Sequence, residues 1–404
     1  MKKIVLFGAF DRYNYGDNLM PVLFQLFVEK YAKHVLREFE FEYAAISSSN
    51  LEKFCCYKTN SINEIIDTLP GGSAVVVIGG EVLCGRNQSL FLHMQDNFIH
   101  HFSLKVFKKL LPRLFNYYAK SQYSTKWEFP FIPANKFFTN DVKVIFNTVG
   151  GDVNNLTPTE LLDVKDRIVG SAYLSVRDKR TFNNLQVLGK EAVLAPDSAY
   201  IMSALIDKAT LAKQVRQKLF VTLPDDYFVF QAAPNKVGSS VSDCVNYILA
   251  LSQQSNKKVV LLPIGYASGH DDLYLLQKIH KAIPDNTALF HNLTLWEIMF
   301  VITNSAAYFG TSLHGAITAM SFDIPHFGIN KNITKLNAFL DDWSVSPFNQ
   351  CYSIENIAGL PSLITAESLA NLKAKTALNI NKVKHNYQEI LSCIDNNYQA
   401  DNLS

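Results

Sequence analysis

The chain is 404 residues long, enough for two domains with cores of their own. Its 48% hydrophobic and 18% charged residues and formal net charge of +2 describe an ordinary globular protein and carry no overall nucleic-acid signature. Six scattered cysteines without a CxxC pair argue against a zinc site and suit reduced thiols in a cytoplasmic compartment.

The opening MKKIVLFGAF pairs basic residues with an apolar run, but the run meets Asp11 and Arg12 at once and reads as a first β-strand rather than a signal peptide. No stretch approaches the ~18–20 apolar residues of a membrane span. The sequons at Asn155, Asn292 and Asn332 therefore carry no weight. Strand-like runs follow at residues 41–47, 74–80, 143–149, 173–178 and 192–197, alternating with longer helical stretches. A second series occupies 226–233, 257–265, 287–293, 306–310 and 325–330. Such alternation predicts parallel α/β sheets. The charged tract 207–224 lacks strand character and reads as the linker. The economical architecture is two Rossmann-like domains facing across a cleft, at 1–206 and 207–365. Residues 366–404 form a helical segment that closes the second domain or packs back across the junction.

Residues 87–140 interrupt the alternation with a crowd of aromatic and basic side chains. Part of this insertion, SLKVFKKLLPRLFNYYAK, has the pattern of an amphipathic helix kinked at Pro112. It suits a peripheral membrane contact near lipid-linked glycans, a sugar-stacking acceptor lobe, or a solvated helical insertion packed on the domain.

Several strand ends carry residues with chemical potential. After the first strand, Gly16 permits a tight turn, and Asp17 and Asn18 are placed to cap a helix beginning near Leu19 or to contact a ligand. Gly79, Gly80 and Glu81 close VVVIGGE, where backbone must approach a ligand or a neighbouring helix closely. NTVGG (147–151) repeats the idea on another strand. Arg177 ends a strand and offers a planar fork for a carboxylate or phosphate, the plainer reading being a surface pair with Asp178. Asp197, at the next strand end, is placed to hold that arginine. Asp271 and Asp272 look like metal ligands but read better as the start of the following helix. The most informative stretch is FGTSLHGAITAM, with His314 among small residues at a strand-to-helix turn. Gly310, Thr311, Ser312 and Gly315 let backbone N–H groups approach an anion there. One imidazole over that anion can donate a proton near neutral pH. The plainer alternative is a histidine that caps the helix or fills a polar gap.

In this order, YGDNL, VVVIGGE, SVRDKRTFNNL, APDSA, LPIG and GTSLHGAITA, with Lys335 beyond them, resemble the polysaccharide pyruvyl transferase family over about residues 1–340, apart from the insertion. The resemblance implies a GT-B-like fold and transfer of pyruvate from phosphoenolpyruvate onto a saccharide as a ketal, in cell-surface or exopolysaccharide biosynthesis. It implies His314 as general acid or donor contact, Arg177 as an anion clamp and Lys335 as a second. No metal or cofactor beyond the phosphoenolpyruvate donor is implied; the acceptor is a saccharide, free or lipid-linked. Many members carry arginine two residues before the histidine, where this chain has Ser312. Lys331, Lys335 or the backbone at 310–312 would then stand in for it. Two other readings use the same cleft: a GT-B glycosyltransferase with a nucleotide sugar, and a non-catalytic glycan-binding protein. A metal-dependent GT-A transferase is disfavoured, because no DxD follows an apolar strand.

Overall fold

The computed structural model describes residues 1–94, 98–265, 272–396 and 398. The first half builds one parallel sheet from β1 (Lys2–Phe7), β2 (Phe39–Ala45), β3 (Asn60–Ser61), β4 (Ser73–Ile78), β5 (Glu81–Leu83), β6 (Val142–Gly151), β7 (Tyr173–Val176) and β8 (Val193–Leu194). Its order is β3-β2-β1-β4-β6-β7-β8, with β5 paired to β6. The second half builds another from β9 (Tyr227–Gln231), β10 (Lys258–Leu261), β11 (Thr287–Leu289), β12 (Ala307–Gly310), β13 (His326–Ile329) and β14 (Cys351–Tyr352), in the order β11-β10-β9-β12-β13-β14. All pairings within the two sheets are parallel. Strand β4 is buried at all six positions, because helices cover both faces of a parallel sheet and leave no polar side.

Each sheet winds outward in two directions from its middle, from β1 against β4 and from β9 against β12. These are the switch points where open α/β sheets leave a crevice at the carboxyl ends of their strands. One buried core runs between the sheets, including Leu6 and Val76 of the first and Val229 and Tyr308 of the second. Two further cores lie on the outer faces. The lobes are therefore packed together rather than merely tethered.

The eleven expected strands are all present, several trimmed at their ends. The short strands β3, β5 and β14 were not expected; two or three residues are too few to show a period. The tract read as linker contains two short helices, Lys208–Ala212 and Gln217–Thr222. The first long helix begins at Tyr15, not near Leu19. Asn18 consequently lies inside it, its side chain accepting from the Asn14 N–H at 2.9 Å and donating to the Phe10 carbonyl at 3.3 Å. After a helix at Asn87–His93, the tract of the insertion read as one kinked helix forms two, Phe98–Leu110 and Pro112–Gln122. Leu111 leaves helical geometry (φ −134°, ψ 64°) and Pro112 starts the second helix, where its missing N–H costs nothing.

A 29-residue helix, Ala366–Ile394, runs across both lobes. Its Thr376 hydroxyl donates to the Met320 carbonyl in the second lobe, and its Asn386 amide donates to Asn147 Oδ1 in the first. Tyr387 packs edge-on against Phe24 and Phe27, with ring centres 4.9 and 4.8 Å away.

Candidate active site

The carboxyl ends of the two sheets face one another across a cleft of about 300 Å³. Arg177, at the end of β7, is 1% exposed, so the surface pair with Asp178 is not what forms. Its guanidinium meets Glu81 at 2.6 Å, Asp197 at 3.3 Å and Asp178 at 3.8 Å. Arg180 holds the other Glu81 oxygen at 2.5 Å. Despite burial, Arg177 and Arg180 hold the Glu81 carboxyl down to about 2. Gly150 leaves room for this cluster; a Cβ there would stand 2.8 Å from both Arg177 Nε and Glu81 Oε2. From the second lobe, the Trp343 indole N–H donates to the Arg177 carbonyl at 2.8 Å and fixes the strand end.

His314 enters from the opposite lobe. The helix Leu313–Ser321 starts on Ser312, whose hydroxyl accepts the Gly315 N–H, so the serine caps the helix and the imidazole is free of that task. His314 Nε2 lies 3.6 Å from Asp197 Oδ2, an ion-pair distance but too long for a hydrogen bond. Asp197 thus sits between the guanidinium of one lobe and the imidazole of the other. Burial would raise its pKa, but His314 and Arg177 outweigh that and hold the carboxyl below its usual range. The two side chains chosen from the sequence do meet over an anion, and that anion is a carboxylate of the protein.

The remaining residues picked from the sequence divide in two. Asp17, Gly80, Glu81, Thr311, Ser312 and Lys335 line the cleft. Gly16, Asn18, Gly79, Gly310 and Gly315 build its wall instead. A Cβ at Gly16 would fall inside the His314 ring, and one at Gly79 would meet the Met20 sulfur. At Gly310 or Gly315 it would meet the Tyr308 hydroxyl. Gly79 and Gly80 both have positive φ (+50° and +76°), which lets the chain turn between β4 and β5 and aim Glu81 at Arg177. Lys331 is exposed and lines no part of the cleft.

Three cleft residues carried no signal in the sequence. Arg12 is tied to Asp11 at 3.1 Å, and Tyr123 donates to that same aspartate at 2.5 Å. Lys236 follows β9 in a loop whose residue types have no periodicity to reveal them. Gln231 ends β9, donating to Asp272 at 2.7 Å and accepting from the Thr311 N–H at 3.0 Å. Asp272 opens the helix Asp272–Ala282, but its carboxylate turns back to accept the N–H groups of Ile264 and Gly265, both at 3.0 Å. Burial pushes it up to about 6. Asp271 lies outside the described residues.

The charge arrangement separates arginines from lysines. Each guanidinium in the cleft wall already has a carboxylate partner, whereas neither Lys236 nor Lys335 has one within 4 Å among the described residues. Burial, with Lys236 and Arg177 beside it, pushes the Lys335 ammonium down to about 8. Burial also lowers Lys236. Two desolvated cations sharing a pocket with the start of a nine-residue helix favour an incoming anion.

Residues 14–332, most of the chain, match the family model described as polysaccharide pyruvyl transferase. The chain belongs to the polysaccharide pyruvyl transferase family. No curated protein matches it in sequence. Among solved structures it is similar to a UDP-GlcNAc 2-epimerase from Neisseria meningitidis (13% identity, TM-score 0.53, covering 97% of this chain and 99% of that one). It is also similar to the N-terminal domain of a Candida albicans trehalose-6-phosphate phosphatase (9%, TM-score 0.51, 97% and 96%). At such identities the likeness concerns the fold, the GT-B-like pair of α/β domains. The Ser312 hydroxyl caps the helix that carries His314, and Lys236 and Lys335 line the same cleft.

Proposed function

We propose that this member of the family transfers pyruvate from phosphoenolpyruvate onto a saccharide as a ketal. The observation that supports it is the meeting of His314, from one lobe, with the Asp197–Arg177 pair of the other, beside two lysines that have no carboxylate partner among the described residues. In the reaction the donor's methylene carbon takes a proton, leaving a cationic centre at C2. Two sugar hydroxyls attack that carbon and the bond to phosphate breaks. One hydroxyl proton balances the new methyl group and the other leaves with phosphate. Lys236 and Lys335 would hold the phosphate and carboxylate of the donor, and His314 would hand over the proton. Asp197, 3.6 Å from Nε2, would orient the imidazole, as an acid beside a catalytic histidine does. Arg177 then acts as a positioning residue. Its charge is spent on three carboxylates, so the direct clamp passes to the lysines.

The test is phosphate release from phosphoenolpyruvate in the presence of a saccharide panel, beside nucleotide release from nucleotide sugars. Phosphate formed with the first donor, and reduced about 10²–10⁴-fold in His314→Ala, supports the reading. Release of nucleotide instead would move the protein to nucleotide-sugar transfer. No turnover of either donor, with sugars still bound, would make it a glycan-binding protein.

A further inference from the structure

We propose that the elbow formed by the helices Phe98–Leu110 and Pro112–Gln122 docks this protein on an anionic lipid bilayer. A surface helix normally turns its apolar stripe inward and leaves a polar face to water. Here the inward side is already satisfied, with Phe115 fully buried and packed edge-on against Phe107 at 5.6 Å. The outward side is apolar as well. Phe102, Val106 and Leu110 recur every four residues and are 61%, 40% and 70% exposed. Leu111, Leu114 and Tyr117 carry the ridge round the elbow at 51%, 59% and 78% exposure. So much large apolar surface in one place marks a binding face.

The charges around the ridge choose its occupant. Lys105, Lys109 and Arg113 are exposed, and none has an ion-pair partner within 4 Å among the described residues. No acid occurs in the sequence between Lys105 and Lys120. Apolar side chains flanked by unpaired cations suit the boundary between acyl chains and phosphate headgroups. A second copy of the chain is a poorer occupant. A two-fold contact would set the ridge against itself and bring like charges together. No helix among the described residues is long and apolar enough to cross a membrane, so the contact is peripheral.

Position adds a consequence. The same insertion supplies Ser89 and Leu90 to the cleft wall, and its Tyr123 holds the Asp11–Arg12 corner. Docking therefore brings the cleft near the lipid surface, where a lipid-linked saccharide would present its sugar. That last step rests on the proposed function; the docking itself does not.

The experiment is co-sedimentation of the full chain with phosphatidylcholine vesicles, with and without phosphatidylglycerol. Binding is expected to the mixed vesicles only, and to weaken with salt. The joint change Lys105→Glu, Lys109→Glu, Arg113→Glu should lower the partition roughly a hundredfold. The joint change Phe102→Ser, Leu110→Ser, Leu114→Ser should abolish it, and phosphate release with a soluble saccharide should stay unchanged in both. Absence of binding to mixed vesicles overturns the proposal. So does binding that survives both sets of changes, or a wild-type dimer that the serine changes convert to monomer without any lipid interaction. Failure of the pyruvyl transfer assay with intact vesicle binding would instead count against the proposed function alone.

Discussion

Lys335 shows how neighbours decide the chemistry of a single side chain. Its ammonium is desolvated and faces two other cations, so its proton is held less tightly than in water. A bound anion reverses that balance. Affinity for an anionic donor should be full below about pH 8 and fall about tenfold per unit as the pH rises through and beyond it. Titration calorimetry with phosphoenolpyruvate from pH 7 to well above 8 reads this directly, and an affinity that does not move with pH would remove Lys335 from the site. Without ligand the sign is opposite. The folded value lies below the ordinary 10.5, so the unfolded chain binds the proton more strongly between 8 and 10.5, and this group's destabilising effect fades as the pH rises through that window.

Between elements, the meeting of two helix starts sets the geometry of the cleft. The first helix brings Gly16 against the His314 ring, and its Tyr15 hydroxyl lies 2.8 Å from that of Thr318 in the opposing helix. An added methyl at Gly16 has nowhere to go except into the imidazole. Gly16→Ala should therefore displace His314 and lower kcat/KM by about 10²-fold, the scale expected for a misplacement of about 1 Å. The loss should fall mainly on kcat, with the anion still bound by the lysines. Steady-state kinetics beside a binding isotherm separate the two, and unchanged kcat with raised KM would contradict the assignment.

Across the whole molecule, a shared core and a long helix join the two lobes. The Asn14–Gly265 bridge joins strand-end loops of opposite sheets, and the Tyr13 hydroxyl donates to the Leu293 carbonyl at 2.7 Å. Tyr387 is fully buried between the Ala366–Ile394 helix and the first lobe, and its hydroxyl donates to the Ser198 carbonyl, next to Asp197. Tyr387→Ala should cost about 3–5 kcal/mol of unfolding free energy in urea, as removal of a large buried ring does. It should also reduce activity below the denaturation midpoint by loosening the Asp197 turn. A loss under 1 kcal/mol would mean that the helix only decorates the surface.

By itself the sequence determined the two parallel sheets, because a strand covered on both faces has to be a continuous apolar run that alternates with helices. It also pointed to strand ends that border the cleft, since Gly80, Glu81, Arg177 and His314 follow such runs and line it. Tertiary structure decided what each of them faces. Gly16 against a histidine nearly three hundred residues away, and Arg177 between Glu81 and Asp197, are contacts between distant segments, to which local periodicity is blind. Lys236 was hidden for the same reason: only the fold buries this loop lysine beside the Lys335 ammonium, with no carboxylate within 4 Å among the described residues.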